Sequence, residues 1–171
     1  MSDMTLSIRQ ATEDDAEAIA RVQAKTWEST YGDLLPPSAI SAQFHPRSVG
    51  NWRRILRGPQ GRLVLVADAD DDIIGFVSGG TSRDPKAGFN AEIYALYVLE
   101  VWQGWGIGRA LFEACRNQLM ADGHDKLMLW VLVGNLAAGF YERLGGLTIA
   151  ERDDLVGGAK VRERAYGWWL G

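Results

Sequence analysis

Gln103-Gly104-Trp105-Gly106-Ile107-Gly108-Arg109 sets three glycines at alternate positions between two strongly patterned segments. Before it, Glu92-Ile93-Tyr94-Ala95-Leu96-Tyr97-Val98 is rich in β-branched and aromatic residues and reads as a strand. After it, Ile107, Leu111, Ala114, Cys115 and Leu119 recur at helical spacing as one apolar stripe, and Gly123 ends the helix. A strand, a glycine turn and a helix in this order imply an α/β architecture. Glycines at a helix start are costly unless something approaches the backbone closely. Such a turn can aim successive backbone N–H groups at one anion, helped by the positive end of the helix. The segment therefore points to a phosphate-bearing ligand, the alternative being a plain turn with incidental glycines. The dinucleotide fingerprint G-x-G-x-x-G fails, because its last position falls on Arg109 or Leu111. A Walker loop fails as well, since no Lys followed by Ser or Thr stands in place. What remains is Gln-x-x-Gly-x-Gly opening a helix.

The rest of the chain extends this unit. Leu6-Ser7-Ile8 suggests a first strand, and Thr12 with Asp15 forms a capping-box-like start for a helix ending near Trp27. Pro36-Pro37 can open a second helix, and Ser48 to Leu56 a third. Arg62 to Ala67 and Ile73 to Gly79 form a hairpin around an acidic turn, Asp68 to Asp72. Lys126 to Val133 is a near-continuous apolar strand. Asn135 caps a short helix with the stripe Leu136, Phe140 and Leu144, closed by Gly145-Gly146. Leu147 to Glu151 and Val161 to Leu170 supply the last strands. No repeat or linker interrupts the 171 residues, so residues 1–171 read as one domain.

Composition removes several function classes. Hydrophobic residues make up 47% and the net charge is only −4, which excludes disorder and argues against a nucleic-acid partner. One Cys cannot form an intramolecular disulfide, and no Cys/His ligand spacing implies a metal. Cys115 lies on the helix stripe as a structural thiol. Asp68, Asp70 and Asp72 begin like a calcium loop, but Ile73 and Gly79 stand where Gly and Glu are needed. His45 and His124 have no ligand partner at short spacing, and Arg53, Arg54 and Arg57 read as a solvated helix edge. Met1-Ser2-Asp3-Met4 lacks a secretory signal pattern, and the longest apolar run, Leu127 to Val133, is far short of a membrane span. The expectation is a soluble, cytoplasmic protein with no membrane partner. Seven Trp residues pose a core-or-site question. Trp130 reads as core. Trp102 and Trp105 flank the turn, and adjacent Trp168 and Trp169 should face opposite sides.

The segments Glu92 to Val98 with Gln103 to Leu111, Leu129 to Leu132 with Asn135 to Gly145, and Ile8 to Thr12 with Asp15-Ala16 together resemble the GNAT superfamily of acetyl-coenzyme A-dependent N-acetyltransferases. The resemblance spans nearly the whole chain in order. It implies an α/β GNAT fold: a mixed, mostly antiparallel sheet of about six or seven strands flanked by helices. It implies that Gln103, Gly104, Trp105, Gly106, Ile107, Gly108 and Arg109 hold the coenzyme A pyrophosphate. Leu96, Tyr97 and Val98 would pair with the pantetheine arm in a splay between that strand and Leu129 to Val133. A backbone N–H near Tyr97 would polarise the acetyl carbonyl, and Asn135 would contact the pantetheine region.

The implied reaction is direct attack of an amine on acetyl-CoA within a ternary complex, without a metal. A non-catalytic coenzyme A-binding or sensing module is the alternative on the same fold. Tyr141 matches the family's acid that protonates the departing thiolate, the reading favoured over a core aromatic. Glu92 matches a general-base position, the alternative being an exposed strand-end carboxylate. From Asn135 to Tyr141 is six residues where the commoner family pattern has seven, a difference that rotates a helix by about 100°. In relatives the region after the first helix shapes the acceptor site. Here it offers Trp27, Glu28 and Tyr31, with Asp33, suited to a small-molecule or polypeptide amine. Val161 to Leu170 could pair with a second copy, giving a homodimer.

Overall fold

The computed structural model describes residues 4–41, 46–58, 62–84 and 88–171. Seven strands form one sheet: β1 (Leu6–Gln10), β2 (Arg62–Ala69), β3 (Asp72–Thr81), β4 (Ala91–Val98), β5 (Lys126–Leu132), β6 (Leu147–Val156) and β7 (Ala159–Trp169). Their spatial order is β1-β2-β3-β4-β5-β7-β6. Only β4 and β5 run parallel, and the crossover such a pair requires is supplied by α4 (Ile107–Ala121). Helices α1 (Ala16–Tyr31), α2 (Pro37–Ser41) and α3 (Pro46–Arg57) lie between β1 and β2, and α5 (Ala137–Arg143) between β5 and β6. This is the mixed, mostly antiparallel α/β sheet expected. His45 lies outside the described residues.

The central strands β2 to β5 are buried on both faces because they are apolar on both. Ile107, Leu111, Phe112, Cys115 and Leu119 of α4 pack on Val77, Ile93 and Leu129. Burial of each large aliphatic or aromatic side chain there contributes roughly 1.5–3 kcal/mol. Cys115 is fully buried, and desolvation pushes its thiol up to about 12, as befits an inert structural thiol. On the opposite face Ile19, Ala20 and Trp52 of α1 and α3 cover Val64, Val66 and Phe76.

Several details depart from the sequence reading. Helix α1 runs to Tyr31, beyond Trp27. Leu136 is 95% exposed, because α5 begins only at Ala137 and Leu136 precedes its stripe. Trp130 is half-buried rather than core: its ring lies under the Arg152 guanidinium, 3.9 Å away. His124 is half-buried with Nδ1 3.2 Å from the Leu119 carbonyl. Strand β7 lies between β5 and β6, so both of its hydrogen-bonding edges are occupied and it cannot pair with a second copy as expected. Trp168 and Trp169 do face opposite ways, one buried and one exposed.

The start of α1 is held by charge. Asp15 accepts from Arg9 Nη1 at 2.8 Å and Nη2 at 3.0 Å, and from the Thr12 backbone N–H at 2.8 Å. The bidentate Arg9 bond keeps the Asp15 carboxyl below its ordinary 3.8. Asp15→Ala should therefore cost about 1–3 kcal/mol at neutral pH, read as a lower urea midpoint. A depressed folded-state pKa gives stability that is complete above about 4 and lost as pH falls through the lower folded value, so the gap between wild type and variant should close in acid.

Candidate active site

Strands β4 and β5 pair only at Ala91 with Leu127 and at Glu92 with Met128. Beyond Glu92 they part, β4 staying paired with β3 to Val98 and β5 with β7 to Leu132. The sheet thus opens as a wedge between two otherwise intact halves. A cleft of about 770 Å³ occupies the wedge, with Ile93 to Val98 on one wall and Leu129, Trp130 and Val131 on the other. Its far ends are Gln103, Gly104 and Gly106 to Arg109 on one side and Thr30, Tyr31 and Asp33 on the other. Backbone groups of β4 beyond Glu92 have no β5 partner, so an extended chain could pair there.

The glycines of the turn do three different things. Gly104 (φ +84°) and Gly106 (φ +81°) adopt left-handed conformations that a side chain resists, and both face open space. Gly108 lets α5 close in, since a Cβ there would lie 3.3 Å from Phe140 Cζ. Gly106 caps α4, whose first-turn amides have no acceptor within the helix and face the cleft end. Gln103 Nε2 donates to the Val98 carbonyl at 3.0 Å, tying the turn to the end of β4. Trp105 is 69% exposed, its ring 6.0 Å from Trp102, and it does not line the cleft, whereas Trp102 does.

Tyr141 lines the cleft at the point where the strands part. Its ring packs on Phe140 and Trp168, and burial raises its phenol above the ordinary 10.0, helped by nearby Tyr97. Tyr97 accepts from Trp27 Nε1 at 3.0 Å, and burial raises its phenol too. Tyr31 lines the same cleft and accepts from Asn135 Nδ2 at 3.2 Å; its phenol is raised by burial, then by Tyr97 and Tyr141. Three neutral phenols thus line one cleft. Asn135 also lines the cleft, and its Oδ1 accepts the Ala137 N–H at 2.9 Å. The short Asn135–Tyr141 spacing does not separate them, because Asn135 sits in the turn before α5 and a helical rotation does not apply there.

Glu92 is placed differently from an open strand-end carboxylate. It is 2% exposed and does not line the cleft. Oε1 accepts the Arg83 N–H at 2.9 Å, and Oε2 accepts Arg83 Nη2 at 2.6 Å and Nε at 3.3 Å. Of the acceptor-region residues, Tyr31 and Asp33 line the cleft. Trp27 is turned inward to Tyr97, and Glu28 lines a separate depression of about 580 Å³ with Lys25 and Glu100. Sequence reasoning missed Tyr94 as a cleft residue. It is the extra residue of a β-bulge, Ile93 facing Gly79 and Ala95 facing Ser78, and only the register reveals it. Among the described residues no cluster of His, Cys, Asp or Glu could hold a metal ion, and no helix is long and apolar enough to cross a membrane.

A family model described as "Acetyltransferase (GNAT) family" matches residues 17–146. The chain belongs to the GNAT family of acetyltransferases. It is 28% identical over 164 residues to an uncharacterized N-acetyltransferase, YuaI, of Bacillus subtilis (strain 168), covering 95% of this chain and 92% of that one. It is 31% identical over 140 residues to an acetyltransferase of Pectobacterium atrosepticum, covering 81% and 86% respectively. In fold it is similar to the PaiA N-acetyltransferase of Thermoplasma acidophilum, solved in complex with coenzyme A, at TM-score 0.71 and 19% identity, covering 94% of this chain and 98% of that one. In this GNAT acetyltransferase the glycine turn and both walls of the wedge line one continuous cleft.

Proposed function

We propose that this GNAT protein transfers the acetyl group of acetyl-coenzyme A directly to a primary amine, with both bound at once. The observation that carries the reading is the wedge, which joins an anion-suited turn to a buried phenol through backbone left unpaired on β4. The coenzyme A complex of the Thermoplasma protein, similar in fold, supports the same ligand here. The residues fit it: the amides of Gly104 to Arg109 would take the pyrophosphate, and Leu96 and Tyr97 would pair with the pantetheine arm. The Val98 carbonyl, engaged by Gln103, would position rather than pair. Asn135, holding Tyr31, would shape the floor near the thioester.

In this reading the amine nitrogen attacks the thioester carbonyl carbon, and a backbone N–H near Tyr97 holds the developing oxyanion. The carbon–sulfur bond then breaks and Tyr141 donates its phenolic proton to the departing sulfur. The amine's proton is lost to water in the cleft, and Glu92, buried off the cleft with both oxygens held by Arg83, would take it only by relay through that water. Tyr31 and Asp33 would face the acceptor.

Free thiol release from acetyl-CoA across a panel of primary amines tests this. Turnover with some amines is expected. Tight acetyl-CoA binding with no transfer to any amine would instead identify a coenzyme A-binding module. Glu92→Gln should lower kcat/KM about 10–100-fold at neutral pH. The defect should shrink above the acceptor's own pKa, where the amine is already neutral, and a purely structural role for Glu92 would leave it independent of pH.

A further inference from the structure

On the face covered by α1 and α3, the register sets Arg62 of β2 opposite Gly80 of β3, and Gly80 opposite Glu92 of β4. Laterally paired residues share a face, so Arg62 and Glu92 project together across a position that has no side chain. Tyr94, the bulged residue that lines the cleft, lies in this row. The guanidinium carbons of Arg62 and Arg83 each sit 4.7 Å from its ring centroid. Trp52 flanks Arg62 at 5.8 Å.

The two arginines differ in their partners. Arg83 is matched by Glu92 at 2.6 Å. Arg62 Nε donates to Ser78 Oγ at 3.0 Å, and among the described residues no carboxylate comes within ion-pair distance of it. Neither arginine lines the cleft itself, and Arg62 is solvent-exposed. Tyr94, which does line it, has both guanidiniums against its ring, and the one on Arg62 has no carboxylate partner and is repelled by the other. Tyr94 and Trp52 hold the planar fork in a fixed orientation, and such a fork suits a carboxylate better than a point charge does.

We propose that the acceptor amine also carries a carboxylate, bound by Arg62 with Arg83 alongside. This inference rests on the acetyltransferase reading and narrows its substrate class. An acceptor carboxylate supplies the charge that Arg62 lacks and relieves the repulsion between the two guanidiniums. It also leaves the reacting nitrogen free for the thioester.

The test compares free amino acids with their amides as acceptors, by thiol release from acetyl-CoA. In parallel, N-acetylated amino acids and their amides are titrated into the coenzyme A-saturated protein by tryptophan fluorescence or calorimetry. The acids should exceed the amides by about tenfold in kcat/KM and in affinity, as a charge-assisted pair implies. Arg62→Gln should shrink the acid-to-amide ratio about tenfold, and Arg62→Lys should retain part of it. Because amine basicity is common to wild type and variant, the change in this ratio isolates the anion contact. Equal treatment of acids and amides by the wild type, or an equal loss for both in Arg62→Gln, overturns the proposal. Transfer without charge preference leaves the acetyltransferase reading standing and this one fallen. Selective binding of N-acetylated acids without any transfer would keep the carboxylate contact at Arg62 but overturn the acetyltransferase reading and, with it, the acceptor assignment.

Discussion

Replacing Tyr141 with Phe is expected to lower kcat about 10²–10³-fold while the Kd for acetyl-CoA changes less than about threefold. Phe keeps the ring that packs between Phe140, Tyr166 and Trp168, so the fold and the cleft wall survive. Only the hydroxyl is lost, and among the described residues nothing hydrogen-bonds to it. A thiolate leaving without a proton is a poorer leaving group, so the deficit should fall on the chemical step and not on binding. Burial raises the phenol above 10.0, which keeps the proton in place through the alkaline range. The wild-type kcat should consequently show no alkaline fall from this group between pH 7 and about 10. Wild-type turnover in Tyr141→Phe would reduce the residue to a core aromatic.

The second large effect is expected at the turn. Gly106→Val should weaken acetyl-CoA binding at least about tenfold, measured by calorimetry. A left-handed residue with a side chain costs about 1–2 kcal/mol, and β-branching makes the conformation worse. The added Cβ would meet no protein atom within 4 Å, so the empty protein has room for it. The same open side is where the phosphate would approach the α4 amides, so the bound state suffers most. Gly106→Asn should be milder, because Asn tolerates the left-handed region. Unchanged acetyl-CoA affinity in Gly106→Val would remove the turn from the binding site.

The parts of this site that could be read in advance are local. Alternating glycines constrain φ within a few residues, and both Gly104 and Gly106 adopt the positive values that only such residues take easily. The stripe from Ile107 to Leu119 requires one buried helix face, and that face carries Cys115 into the core. Thr12 and Asp15 meet because they are three residues apart. Trp130 shows where this kind of reasoning stops. Its apolar neighbours suggest a core residue, yet β5 leaves β4 beside it and Arg152 of β6 covers its ring. Leu136 likewise fits a helical stripe that begins one residue later than its pattern suggests.

By itself the sequence determined the strand–turn–helix unit, its positive-φ glycines, the α/β class and the family resemblance, because each depends on neighbours along the chain. Only the tertiary structure decided how far β4 and β5 separate, which carboxylate Arg83 occupies, and that Arg62 stands unmatched over Tyr94. Those contacts join residues brought together by strand register and by one bulge in β4. A shift of a single position there would turn each side chain to the other face of the sheet.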